Sequence, residues 1–207
     1  PVRDVRRTST PFLPLDDGEL VLLHLDVARG HRRLGGSALA QVHGQLGNEA
    51  PDLDDPAALA AFFAFVQAQR EAGTLVAYHD IADGGLAICA LEMAFASRCG
   101  LELDIGTDAA PLPALFAEEL GAVIAVRADL GDAVLRAAAD AGVAARIVAR
   151  PVPGERIRFR RGVQVLVDVS RVTLHRAWST TTHALQRMRD NPDAADAEHA
   201  RIGDPLD

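Results

Sequence analysis

Between Thr74 and Ser97 the sequence passes from a short apolar run, through a polar turn, into a long apolar segment. Thr74–Ala77 reads as a buried strand and Leu86–Ser97 as a buried helix, and a helix of that composition is stable only under cover from other elements. Tyr78-His79-Asp80-Ile81-Ala82-Asp83-Gly84-Gly85 lies between them, so polar groups gather where a strand hands over to a helix. A carboxylate in that place can hold a hard cation. Glycines let backbone approach a phosphate closely, and the amides at a helix start attract anions. The pattern is that of a metal–nucleotide site. Asp83 is placed to cap the following helix. Asp80 precedes that cap by three residues, at the carboxyl end of the strand, where ligands bind in sheets of this kind.

The rest of the chain supplies layers to cover that helix. Glu19–Asp26 is a strand apolar enough to be covered on both faces. Leu34-Gly35-Gly36-Ser37 introduces a helix over Ala38–Leu46, either as a phosphate cradle or as an ordinary cap in which Ser satisfies a free amide. Pro56 suits the first turn of a helix running to Ala72, with Leu59, Phe62, Phe63 and Val66 spaced along one apolar face and Gly73 ending it. Gly100 is expected to close the helix after the polar turn. Strands are expected over Leu101–Ile105, Gly121–Arg127 and Ala144–Ala149, with at most a short helix at Leu115–Glu118 and an amphipathic one over Asp132–Ala141. Arg156–Arg160 and Val163–Val169 read as hairpin arms about Arg161-Gly162. Arg156, Arg158 and Arg160 alternate, which suits the solvated face of a strand as well as an anion patch. Arg171–Arg189 is the last helix, with Leu174, Trp178, Leu185 and Met188 sharing a face.

Long helices interleaved with short strands, without strict alternation, predict an α+β layered domain with helices packed on a mixed β-sheet. The expected organisation is a lead-in over 1–18, the domain proper over 19–170, and a helix with an acidic linker over 171–207. Neither Gly-x-Gly-x-x-Gly nor a Walker loop occurs, which excludes Rossmann and P-loop readings. The 207 residues carry a formal charge of −8, which argues against a nucleic-acid partner. No apolar run is long enough to span a bilayer, and no signal-peptide pattern opens the chain. The start, without Met, suggests a piece of a longer protein. Cys89 and Cys99 are ten residues apart, unlike a metal knuckle, and read as two buried cytosolic thiols.

Ala77-Tyr78-His79-Asp80-Ile81-Ala82-Asp83-Gly84-Gly85-Leu86 resembles a known family, the large single-chain phosphoribosylformylglycinamidine synthases. The likeness is to the second domain of the aminoimidazole-ribonucleotide-synthetase C-terminal type in those enzymes. Further blocks agree in order: Asp4-Val5-Arg6-Arg7, Leu34–Val42, Glu92–Ala96, Leu115–Val123, His175–Ser179 and Met188–Pro192. The resemblance implies a ligase of purine biosynthesis, cytoplasmic, that uses ATP and glutamine to convert formylglycinamide ribonucleotide to formylglycinamidine ribonucleotide. It implies that this chain contributes half of an auxiliary site for Mg²⁺ and ATP or ADP, with Asp80 as the metal ligand and Ala82, Gly84 and Gly85 at the nucleotide. The family has a serine where Ala82 stands, so its hydroxyl contact is lost. The other ligands would come from a preceding synthetase N-terminal-like domain, and ammonia from a following glutaminase domain, so the chain alone is expected to be inactive and no residue in it is assigned to catalysis. His79 is open between a general base, a phosphate contact and a structural role. The alternatives are a non-catalytic interaction module, or a domain of another ATP-using enzyme such as aminoimidazole ribonucleotide synthetase. The absence of lysine throughout weighs against a stand-alone ATP-using enzyme.

Overall fold

The structure is a computed structural model that describes residues 8–204. Seven strands form one mixed sheet: β1 (Leu20–Asp26), β2 (Ala77–Asp80), β3 (Gly100–Asp104), β4 (Gly121–Arg127), β5 (Ala144–Val152), β6 (Arg156–Arg161) and β7 (Gln164–Ser170). Their spatial order is β2-β4-β1-β5-β3-β6-β7. Neighbours are antiparallel except β3 and β6, which run parallel. The expected α+β class and mixed sheet are what is found.

Helices lie on both faces. In β1, Leu20 and Leu22 point into a core shared with α3 (Gly85–Ser97), α4 (Pro111–Phe116) and α6 (Arg171–Arg189). The alternate residues Val21, Leu23 and Leu25 point into a second core built with Phe65 and Val66 of α2 (Pro56–Ala72) and Val134 and Ala138 of α5 (Gly131–Asp140). This period-two division is what a strand covered on both sides requires. Ten of the thirteen residues of α3 are buried, among them Leu86, Leu91, Met93 and Phe95. At about 1.5–3 kcal/mol for each fully buried large apolar side chain, this helix is the centre of the larger core. Among the described residues no helix is long and apolar enough to cross a membrane.

Several boundaries differ from expectation. The strand placed at Thr74–Ala77 lies three residues later, because its ladder forms with Ala122–Ala125 of β4 and takes in Tyr78, His79 and Asp80. α1 stops at Val42. α3 ends at Ser97, with Arg98 as its C-cap in the left-handed region at φ 47°, and Gly100 opens β3 instead. α4 runs from Pro111 to Phe116, so it starts four residues before the expected Leu115–Glu118 helix and shares only Leu115 and Phe116 with it. The predicted apolar face of α2 is rotated: Ala58, Phe65 and Val66 are buried, and Phe63 is 63% exposed. Of the expected face of α6, Leu174 packs into the core and Trp178, half exposed, meets Phe95 with ring centroids 5.8 Å apart, while Leu185 and Met188 are largely exposed.

The acidic stretch expected as a linker contains a helix, α7 (Pro192–Ala200), capped by Asn191 and docked on α6. The lead-in reaches the sheet edge: Tyr78 donates its amide to the Thr10 carbonyl at 3.0 Å. Leu13 is buried, and its amide donates to Ser97 Oγ at 2.7 Å. The Asp4–Arg7 block lies outside the described residues. The arginines of β6 do form a charged strand face, with Arg158 set between Asp168 and Glu102.

Candidate functional site

β2 is the edge strand beside β4, and its register sets Asp80 opposite Ala122. The next amide, that of Ile81, donates to the Gly121 carbonyl at 3.0 Å, so the strand is held to its last residue. Asp80 therefore stands at the carboxyl end of the strand, exposed, on rigid backbone. The Tyr78 hydroxyl donates a hydrogen bond to Asp80 Oδ1. Burial, and then that bond, push the phenol above its ordinary range, so it stays a donor. Among the described residues no group of three or more His, Cys, Asp or Glu side chains could hold a metal. Asp80 could offer one carboxylate to a metal, which fits the Mg²⁺ habit of taking one or two carboxylates and filling its shell with phosphate and water.

The turn after Asp80 is organised from a distance. Asp83 was the expected cap of α3. Instead it is exposed, and the cap is Gly84, in the left-handed region at φ 84°, with no side-chain cap bond. The carboxylate that reaches this turn is that of Glu118. Its Oε1 accepts the Gly84 amide at 2.7 Å and the Ala38 amide at 2.8 Å. The Gly85 amide donates to the Ala82 carbonyl at 3.0 Å. Gly85 has φ 65°, and a Cβ there would lie 2.7 Å from the Ala117 carbonyl oxygen. Both glycine amides are thus engaged within the chain, and Gly85 serves the close crossing of residues 115–117. Ala82 is exposed and meets the turn through its carbonyl.

Of the two readings of Leu34-Gly35-Gly36-Ser37, the cap is realised. Ser37 Oγ accepts the Ala40 amide at 3.2 Å and donates to the Leu34 carbonyl at 2.7 Å. Next to it, Arg33 is clasped by Glu119. Its backbone amide and Nε reach Oε1, and Nη2 reaches Oε2, each at 2.8 Å. Nη2 also lies 2.8 Å from Asp54 Oδ2. Glu118, Glu119 and Arg33 are the residues sequence reasoning missed. The two glutamates sit in one of the family-like blocks, but nothing local announces partners some 80 residues away.

His79 is built into the packing. Its Nε2 is 2.8 Å from Glu92 Oε2, and its Nδ1 2.9 Å from the Asp80 carbonyl. Glu92 Oε1 also accepts the Trp178 indole N–H at 3.0 Å, which ties α3 to α6. The ring therefore bridges β2 and α3 and turns away from Asp80's carboxylate. Cys89 is buried, and burial pushes its thiol up to about 12; Cys99 is pushed up to about 11 for the same reason. Neither is a nucleophile at neutral pH.

Residues 18–162 match the family described as AIR synthase related protein, C-terminal domain. The chain belongs to this family. Its fold is also that of part of PurL from Thermotoga maritima. The structure of that protein complexed with FGAR aligns at a TM-score of 0.66 and 16% identity, covering 80% of this chain and 29% of that one. PurLQS from the same organism aligns at 0.63 and 15% identity, covering 79% and 26%. HypE from E. coli aligns at 0.50 and 23% identity, covering 73% and 48%. This chain thus spans less than a third of the PurL chains it matches, and the likeness at these identities is one of fold. The family match ends at 162, before β7, α6 and α7.

Proposed function

We propose that this chain is one domain of a phosphoribosylformylglycinamidine synthase of the large single-chain form. In that reading it works within an enzyme that uses ATP and glutamine to convert formylglycinamide ribonucleotide to the amidine. Two things support it: the AIR-synthase-related family, and a fold shared with PurL, which has been seen with ATP, ADP and FGAR. The observation that carries the site is the exposed Asp80 carboxylate at the end of β2, steadied by Tyr78.

Asp80 would contribute one ligand to the Mg²⁺ of a nucleotide. That ion neutralises phosphate charge when bound. The loop of Ala82, Gly84 and Gly85 would lie beside the phosphates, with Gly84 and Gly85 keeping it in place rather than lending their amides. The remaining ligands would come from a preceding synthetase N-terminal-like domain, and ammonia from a following glutaminase domain. The isolated chain is then inactive. Purified alone, it should show no ATP-dependent turnover of formylglycinamide ribonucleotide, and measurable turnover would overturn the reading. In the full-length protein Asp80→Ala should weaken calorimetric binding of Mg-ATP. Unchanged binding would mean that Asp80 is not a ligand.

A further inference from the structure

Glu118 stands between the two glycine turns. One oxygen, Oε1, accepts the amide that opens α3 and the amide that opens α1. The neighbouring Glu119 fixes Arg33, just before the second turn, through three hydrogen bonds. A helix start is the place where a free amide and the helix dipole attract an anion. Here the anion is part of the chain. The backbone of residues 115–117 is pressed against Gly85, so Glu118 is delivered to this place by a rigid crossing and not by a loose loop.

We propose that Glu118 is a positioning residue for the Asp80 loop, an internal carboxylate occupying the place an external phosphate would take at the start of α3. The inference rests on the proposed nucleotide site and deepens it. Phosphates of the nucleotide reach this chain only through the metal at Asp80, because the Gly84 amide is committed and Glu118 repels a second anion. The glutamate also holds the loop after Asp80 in register with the Leu34–Ser37 turn, so the aspartate is presented at a fixed point.

The test uses hydrogen exchange of residues 82–87 in the intact protein with divalent metal chelated, so no nucleotide is involved. Glu118→Gln keeps an oxygen that accepts both amides and should leave exchange within about threefold of the parent. Glu118→Ala should raise it about 10- to 100-fold, as expected when hydrogen bonds to a charged acceptor are lost. Added formate or inorganic phosphate should restore protection in Glu118→Ala and change nothing in the parent. Protection of β4 reports that the fold is intact. Three results would overturn the proposal: parent-like exchange in Glu118→Ala, loosening in Glu118→Gln as large as in Glu118→Ala, or protection of the parent loop by phosphate without metal. The last is measured on the parent alone and decides the matter even if the alanine variant does not fold. If Asp80→Ala left Mg-ATP binding unchanged, the nucleotide site would fall while the exchange result stood.

Discussion

Gly85 and Gly36 both sit in the left-handed region, at φ 65° and 73°, but in different surroundings. A Cβ on Gly36 would meet nothing within 4 Å. A Cβ on Gly85 would lie 2.7 Å from the Ala117 carbonyl oxygen, 2.8 Å from the Phe116 carbonyl carbon and 2.9 Å from the Leu115 carbonyl oxygen. All three are backbone atoms, so relief requires the 115–117 segment to move. Gly36→Ala should cost only the conformational strain, about 1–2 kcal/mol. Gly85→Ala adds overpacking of about 1–3 kcal/mol, for a total of about 2–5 kcal/mol. Urea unfolding of both variants against the parent reads the difference directly, as a lower midpoint at unchanged slope. The same displacement would draw Glu118 away from Gly84. Exchange at residues 82–87 should therefore rise in Gly85→Ala and not in Gly36→Ala. Equal destabilisation by the two substitutions would refute the claim that Gly85 is required by the crossing chain.

Two further outcomes follow from buried polar groups. His24 is buried in β1, and its Nδ1 has no hydrogen-bond partner among the described residues. Burial is the main reason its pKa falls from 6.5 to about 4; Asp26 opposes the shift, and Arg32 and Arg146 reinforce it. The folded state then binds fewer protons than the unfolded chain between those values. Stability from this group is complete above pH 6.5 and declines as pH falls toward 4, by about 3 kcal/mol in all. Urea unfolding across this range should show a shallower decline for His24→Gln; an identical decline would exclude His24 as its source. Arg171 is 1% exposed, and its Nη2 donates to Glu155 Oε1 at 3.0 Å and to the Ile202 carbonyl at 3.1 Å. Arg171→Leu should cost about 3 kcal/mol and loosen residues 192–204, checked by calorimetry and exchange. Unchanged exchange there would show that the arginine does not anchor the extension.

What the sequence made legible was what near neighbours decide. All seven strands are short apolar or alternating runs bounded by turn residues, and each is found, because runs that short bury their residues by pairing in a sheet. The end points of β2 were misplaced because they are set by β4, not by the hydrophobicity of Thr74–Ala77. α7 was read as linker because its acidic, alanine-rich sequence carries no apolar stripe; what holds it is its dock on α6, including a His183–Asp196 contact at 2.9 Å. The exposed face of α6 shows the converse error, since regular apolar spacing at Trp178, Leu185 and Met188 says nothing about what covers it. At the site, Asp80's place at a strand end was readable from strand-then-turn patterning. The cap of α3 was not. Asp83 has the right residue type at the right offset, yet it is exposed, and the Gly84 amide goes to Glu118, 34 residues beyond Gly84. A cap supplied through tertiary structure leaves no local signature.

The proposed role of Asp80, ligation of a nucleotide-bound metal shared with another domain, is open to a test that replaces the ligand's chemistry. In the full-length protein Asp80→Cys should lose on the order of tenfold or more in nucleotide affinity with Mg²⁺, at least about 1.4 kcal/mol, because thiolate is a poor ligand for a hard cation. Affinity should return when Cd²⁺, which favours sulfur, replaces Mg²⁺. Recovery with Cd²⁺ in Asp80→Cys, and none in Asp80→Ala, is the predicted result. Mg²⁺-supported binding by Asp80→Cys equal to that of the parent would contradict it.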